Sequence, residues 1–220
     1  MKRELLTLGC AGLVALISAA SPATADSSSG RVTGSNIDSV LLSADTVGDI
    51  LGTNLPVQLK GKRPLPEAQL DQHQECSTLI EPGTKFYGSD LNLFRITLFK
   101  DDKDSPDYIV LQTVATYPDA QTAQNVFTKG IQPTAGCNSV VQITDIDSKP
   151  SWQLSAPKIT TDDAKWHQGQ LYEGDPFGWN CYVDLHTAEN AILKAQVCQM
   201  GNAGPSVSQM MDQMVGGLPS

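Results

Sequence analysis

A chain of 220 residues with 24 acidic against 15 basic side chains carries a formal charge of −9, the wrong sign for a surface that neutralises phosphates. Nucleic acid and anionic membrane surfaces are thereby excluded as general partners, although one local basic pocket is compatible with the net figure. A hydrophobic content of 40% over this length fits a single domain with a substantial core.

Lys2 and Arg3 precede an uncharged apolar run at 5–20, and Ala23-Thr24-Ala25 stands just before Asp26. This is the pattern of a secretory signal, which predicts cleavage after Ala25 and removes 1–25 from the fold. The run of about 16 residues is short for a spanning helix, and no later stretch is longer, so no transmembrane anchor is expected after cleavage. Lipid attachment at Cys10 is disfavoured because Thr7-Leu8-Gly9 lacks the usual aliphatic residue three before the cysteine. Cleavage takes two of the basic residues and one acidic residue, leaving a net charge of −10.

Residues 26–36, with Ser27-Ser28-Ser29-Gly30, hold too little apolar surface to bury and are expected to form a disordered leader, with the folded domain over 37–220. Leu41, Leu42, Val47, Ile50 and Leu51 then fall at helical spacing. Ser43 as cap and Gly52 as a left-handed stop predict a helix at Ala44–Leu51. Gly61, Pro64, Pro66 and the basic trio Lys60, Lys62 and Arg63 predict a loop from Pro56 to Pro66. Phe94, Ile96 and Leu98 alternate with Arg95, Thr97 and Phe99, and 108–117 is rich in β-branched and aromatic residues. Together they predict a hairpin with an acidic tip at 101–107. Pro118-Asp119 opens a helix ending near Gly130, with Ala120, Ala123, Val126 and Phe127 on one face.

Shorter strands are expected at 139–144, 152–154 and 165–171. The stretch 180–200 reads as a hairpin bending near 188–190, with Val183 opposite Ala195, Leu185 opposite Leu193 and Asp184 beside Lys194. After Pro205, the series Val207, Met210, Met211, Met214 and Val215 predicts a C-terminal helix closed by Gly216-Gly217. Two hairpin groups flanked by helices imply a single α+β domain with a mainly antiparallel sheet, helices packed on it and one face covered.

Cys76, Cys137, Cys181 and Cys198 are an even number in a chain addressed outside the cytoplasm, so two disulfides are expected. Their wide spacing, with His73, His167 and His186 scattered, does not fit structural zinc. Asp162-Asp163 and the acidic tip lack the alternating ligands of a calcium loop. The sequence contains no G-x-S-x-G, H-E-x-x-H, P-loop or G-x-G-x-x-G motif, and no catalytic residue, metal or cofactor is expected. Asp184 and His186 stand two apart, which on a strand places both on one face without making a triad.

Trp152, Trp166, Trp179, Tyr172 and Tyr182 crowd into 31 positions with His167 and Gln170. Aromatic rings with polar tips hold ligands in apolar clefts, so these seven residues are the candidate ligand site; the competing reading is that they fill the core.

The order of features resembles the PknH-like extracellular sensor domain family, found on mycobacterial serine/threonine kinases and on secreted or lipid-anchored proteins. The residues that carry the resemblance are Leu41-Leu42-Ser43-Ala44-Asp45-Thr46-Val47-Gly48-Asp49-Ile50-Leu51-Gly52, Cys76 followed by Tyr87-Gly88, and Val114-Ala115-Thr116-Tyr117-Pro118-Asp119-Ala120 before Cys137. The Cys181 to Cys198 hairpin and the last helix complete it. Thr134 stands where the family often has tryptophan, and no kinase domain accompanies this chain. The resemblance implies disulfides Cys76–Cys137 and Cys181–Cys198, an α+β domain, and a cleft for an unidentified ligand. The second pairing requires a bulge near the open end of the 180–200 hairpin, because the apolar register is offset by one from the cysteines.

The function expected is that of a secreted or envelope-associated, non-catalytic ligand-binding or sensor-like domain, its envelope ligand unidentified, with a lipid or glycan fragment among the candidates. The alternatives are a secreted hydrolase whose site assembles only in the fold and a protein-protein adaptor. An apolar groove would favour the binder, clustered polar groups with shifted titration the enzyme, and a flat apolar patch the adaptor.

Overall fold

The computed structural model describes residues 30–219; the expected signal segment 1–25, the expected cleavage site and residues 26–29 lie outside the described residues. After the four-residue α1 (Ile37–Val40), α2 spans Ala44–Leu51 as the sequence predicts. Ser43 Oγ accepts the Thr46 N–H, and Gly52 takes φ 69°. The edge strand β1 (Val57–Gly61) follows, then α3 (Ser77–Ile80) and α4 (Thr84–Tyr87). The hairpin of β2 (Leu93–Lys100) and β3 (Tyr108–Thr116) closes over the acidic tip. There Asp102 accepts the N–H groups of Asp104 and Ser105, both at 2.8 Å, and Asp101 that of Tyr108, so these carboxylates serve the turn. Asp119 caps α5 (Ala120–Ile131) through the Thr122 N–H at 2.7 Å.

Six more strands among the described residues follow: β4 (Val140–Gln142), β5 (Ser151–Leu154), β6 (Lys158–Ile159), β7 (Asp163–Tyr172), β8 (Asp175–Ala188) and β9 (Ala191–Met200); α6 (Gly204–Gly216) ends the chain's described part. All pair antiparallel in one sheet of order β1-β2-β3-β9-β8-β7-β5-β4, with β6 beside β7. The two disulfides join Cys76 to Cys137 and Cys181 to Cys198.

Four expectations are corrected. The segment 57–61 is a strand, not a loop. As an edge strand it leaves most side chains in solvent while its backbone ladders to β2, so it shows no apolar alternation. The β8–β9 register sets Cys181 opposite Cys198, Asp184 opposite Ala195 and Leu185 opposite Lys194 with no bulge. Residues 30–36 are not a free leader: Val32 is 2% exposed, and Asn190 in the β8–β9 turn accepts its N–H and donates to its carbonyl.

Finally, both faces of the sheet are covered. Phe94, Ala115, Ile192, Leu185 and Trp166 face α3, α4 and α5, whereas Phe99, Val114, Leu193, Ala195 and Val197 face α1, α2 and α6. The reason lies in β9, where every residue from 191 to 198 is buried. Lys194 and Gln196 look like a solvent face in the sequence but turn, with Ile192, into the core under α3, α4 and α5.

That core contains a polar thread. Lys194, fully buried, pairs with Glu81, and its neighbour across β3, Thr113, meets the Tyr87 hydroxyl at 3.2 Å. Tyr117 in turn donates to the Tyr87 carbonyl at 3.1 Å. Burial pulls the Lys194 ammonium below the ordinary lysine range, with Glu81 opposing, and pushes the Tyr87 hydroxyl well up.

Candidate functional site

Antiparallel register places cross-strand partners on the same face, and β7 and β8 use this to stack three rungs two residues apart. His167 opposes Tyr182, Lys165 opposes Asp184, and Asp163 opposes His186. The His167 and Tyr182 rings stack at 5.4 Å between centroids and 22° between planes. All three rungs lie on the face that α6 covers. The helix packs on β9 and β8 and leaves a groove beside β7.

The aromatic end of the groove is a cavity of about 360 Å³ that also involves Ala156, Gly204, Val207 and Ser208. Gly204, at the start of α6, lies against the Tyr182 ring; a Cβ there would sit 3.5 Å from its Cδ1. The ionic end is a cavity of about 280 Å³, bordered by Met211, Asp212 and Val215. Lys165 and Asp184 line both.

Asp184 is 1% exposed. Lys165 Nζ lies 2.8 Å from its Oδ2 as an ion pair, and no hydroxyl, amide or backbone N–H among the described residues donates to either carboxylate oxygen. Burial, and next the neighbouring Asp163, push its pKa up to about 7 against the pull of Lys165. Asp163 lies 3.7 Å from Lys165 Nζ and 3.9 Å from His186 Nδ1. Burial pushes the Asp163 carboxyl up, but these neighbours outweigh it and hold it low; Asp163 in turn raises His186.

The sign of the pH dependence follows. Asp184 titrates at about 7 in the folded chain against 3.8 unfolded, so its contribution to stability is complete near pH 4 and lost as pH rises through 7. His186, raised above 6.5, acts in the same direction: its contribution is complete below 6.5 and lost above its folded value. Asp184→Asn is therefore expected to flatten the fall in stability from pH 5 to 8 and to stabilise the chain at pH 8 by about 1 to 3 kcal/mol, because the amide avoids the cost of ionising a buried carboxyl. Urea melts at both pH values check this, and an equal loss of stability at both would refute it.

The seven sequence candidates do not form one site. His167 and Tyr182 meet in the α6 groove. Trp166 borders the groove only through its strand. Its indole is 4% exposed on the opposite face, where Nε1 donates to the Leu79 carbonyl at 2.8 Å; the residue is core, which corrects its candidacy. Trp152 is half-buried against the same core, its Nε1 buried without a partner among the described residues. Gln170 borders a separate cavity of about 300 Å³ with Gln153, His167 and Asn180. Trp179 is half-buried near the far end of β8, and Tyr172 is 66% exposed at the β7–β8 tip, 6.4 Å from the Phe177 ring.

Sequence reasoning missed Asp163 and Lys165. Their spacing of two mirrors that of Asp184 and His186, but only the register of two strands brings the pairs together. Among the described residues no three His, Cys, Asp or Glu side chains gather as a metal-ligand set.

A family model described as PknH-like extracellular domain matches residues 32–216. No curated protein matches the chain. Among solved structures, the extracellular domain of PknH from Mycobacterium tuberculosis superposes with a TM-score of 0.73 at 16% identity, over 84% of this chain and 95% of that one, and so shares the fold. An uncharacterised protein from Mycobacterium smegmatis matches at 8% identity with a TM-score of 0.39, over 81% of this chain and 97% of its own.

Proposed function

Given that this chain belongs to the PknH-like extracellular domain family, we propose that it is a non-enzymatic ligand-binding domain of sensor type, its ligand held in the groove between α6 and the β7–β8 face. The domain works outside the cytoplasm, as its family does. The observation that carries the reading is the pairing of a stacked aromatic rung with a buried carboxylate that, apart from the Lys165 ion pair, has no hydrogen-bond donor among the described residues. Apolar ring faces bury ligand surface, while Asp184 and Lys165 offer an acceptor and a donor to a hydroxyl-bearing group. A glycan or glycolipid fragment has both properties.

Calorimetry with triacetylchitotriose and with octyl glucoside tests this. One of the two should bind saturably, and Tyr182→Ala should weaken that binding about three- to tenfold, the worth of one stacking contact, while lowering the melting temperature less than truncation of a fully buried core ring. Saturable binding that ignores Tyr182→Ala, or none with either probe, contradicts the reading.

A hydrolase is the second reading, favoured by Asp184 at about 7 beside His186, since shifted titration marks functional sites. Against it, among the described residues no hydroxyl or thiol hydrogen-bonds to Asp184 or His186, so no activated nucleophile is in place. Turnover of p-nitrophenyl esters or glycosides that Asp184→Asn abolishes would decide for the enzyme.

A further inference from the structure

A cavity of about 620 Å³, larger than either part of the α6 groove, lies toward the opposite edge of the sheet, between β1–β2 and the α1–α2 junction. Its floor follows from strand periodicity. Gln58 and Lys60 stand two apart on β1, and Lys62 continues the series just past its end. The register sets Lys60 opposite Thr97 and Gln58 opposite Phe99, which places them on the face that Arg95 shares. Leu41, Leu42 and Ala44 form the apolar wall.

Both sides are held in place. Gln112, fully buried, accepts the Leu42 N–H at 2.9 Å and donates to its carbonyl at 3.2 Å, pinning the α1–α2 junction to the sheet. Arg95 Nε donates to Asp38 Oδ1 at 3.0 Å and Nη1 to the Phe94 carbonyl at 3.0 Å, which orients the guanidinium and leaves Nη2 without a partner among the described residues. Asp38 is the one acidic side chain lining the cavity, and Arg95 engages it.

In a chain of charge −9, three cations lining one cleft with a single, already paired carboxylate reverse the general sign of the surface. Screening within about 8 Å makes that local set, not the net charge, decide what enters. Three cationic groups from two strands exceed what the two oxygens of a carboxylate engage, whereas a phosphate monoester presents three oxygens and up to two charges. The volume and the apolar wall admit more than a bare ion, since cavities of about 300 to 1,000 Å³ hold drug-sized ligands.

We propose that this cleft binds a phosphate-headed amphiphile, the phosphate on Lys60, Lys62 and Arg95 and the apolar part along Leu41, Leu42 and Ala44. The site is separate from the α6 groove and does not depend on it.

Titration with octyl phosphate, inorganic phosphate and octyl glucoside, followed by calorimetry and by amide shifts in NMR spectra, tests the proposal. Octyl phosphate should bind saturably and shift amides at 41–44, 58–62 and 95–97. Lys60→Gln/Lys62→Gln should weaken it at least about tenfold, the loss of one charge-assisted hydrogen bond or more, whereas the control Lys103→Gln/Lys129→Gln should not. Both double variants change exposed side chains by the same charge, so a matched melting temperature separates binding from folding. Inorganic phosphate binding as tightly as octyl phosphate would overturn the amphiphile and leave a bare anion site. Octyl glucoside binding as tightly would overturn the role of the cations. Shifts at 167 and 182 in place of those at the cleft would overturn the location, and no saturable binding would overturn the whole.

Discussion

Glu81→Ala is expected to destabilise the protein by about 3 to 5 kcal/mol, the usual consequence of removing one partner of a buried ion pair. Lys194 has no exposed surface and sits in the centre of β9, between β3 and β8, so truncating Glu81 takes the counter-ion from a buried ammonium. It must then stay charged without a partner or give up its proton, and burial already draws it toward the neutral form. For a chain of this length the loss corresponds to a fall in melting temperature of about 10 °C. Replacing both partners, Glu81→Leu with Lys194→Met, should recover most of the loss, because apolar residues of similar volume remove the desolvation cost along with the attraction. Urea melts of the two single variants and the double variant give the coupling directly. A loss below about 1 kcal/mol for Glu81→Ala would mean that Lys194 finds other solvation and that the pair does not hold the core.

Trp166→Ala should cost about 3 to 5 kcal/mol, as truncations of large buried aromatic side chains do. The indole fills the core beneath α3 and also does what a four-residue helix cannot do for itself. The last carbonyls of a helix have no partner within it, and here Trp166 Nε1 bonds the Leu79 carbonyl while Gln168 Nε2 reaches that of Ile80 at 3.3 Å. With the Cys76–Cys137 bridge just before α3 and the Glu81–Lys194 pair just after it, the segment is fastened to the sheet at successive points. Trp166→Phe keeps much of the ring but leaves the Leu79 carbonyl bare, and should cost about 1 to 3 kcal/mol. Trp166 and Tyr182 are thereby separated: truncating the first should lower the melting temperature most, and truncating the second should weaken binding with a smaller loss of stability. Trp166→Ala that melts normally and loses ligand would return the indole to the groove.

The elements that local chemistry specifies were legible in the sequence. Ser43 and Gly52 bound α2, Asp119 opens α5, the Val207 to Val215 periodicity marks α6, and alternation marks the β2–β3 hairpin. Each works through contacts within a few residues, so spacing alone carries the signal. The extension of β7 and β8 beyond 171 and 180 was not legible. Exposed Asp175, Pro176 and Phe177 look like a turn, and the tip is set by Glu173 and Gly174, with φ 52° and 91°. The short α3 and α4 were equally silent, because a single helical turn has no periodicity to read.

The candidate site divides the same way. The sequence by itself determined that His167 and Tyr182 carry rings with polar tips, that Asp184 and His186 share a strand face, and that Lys60 and Lys62 stand two apart. Which of these residues meet was decided only by the tertiary structure. Strand register, a property of two distant segments, makes Lys165 face Asp184, and the covering of both sheet faces sends Trp166 and Lys194 inward. A period of two fixes which residues share a side of a strand, but it cannot say which side is wet, because that depends on what else packs there.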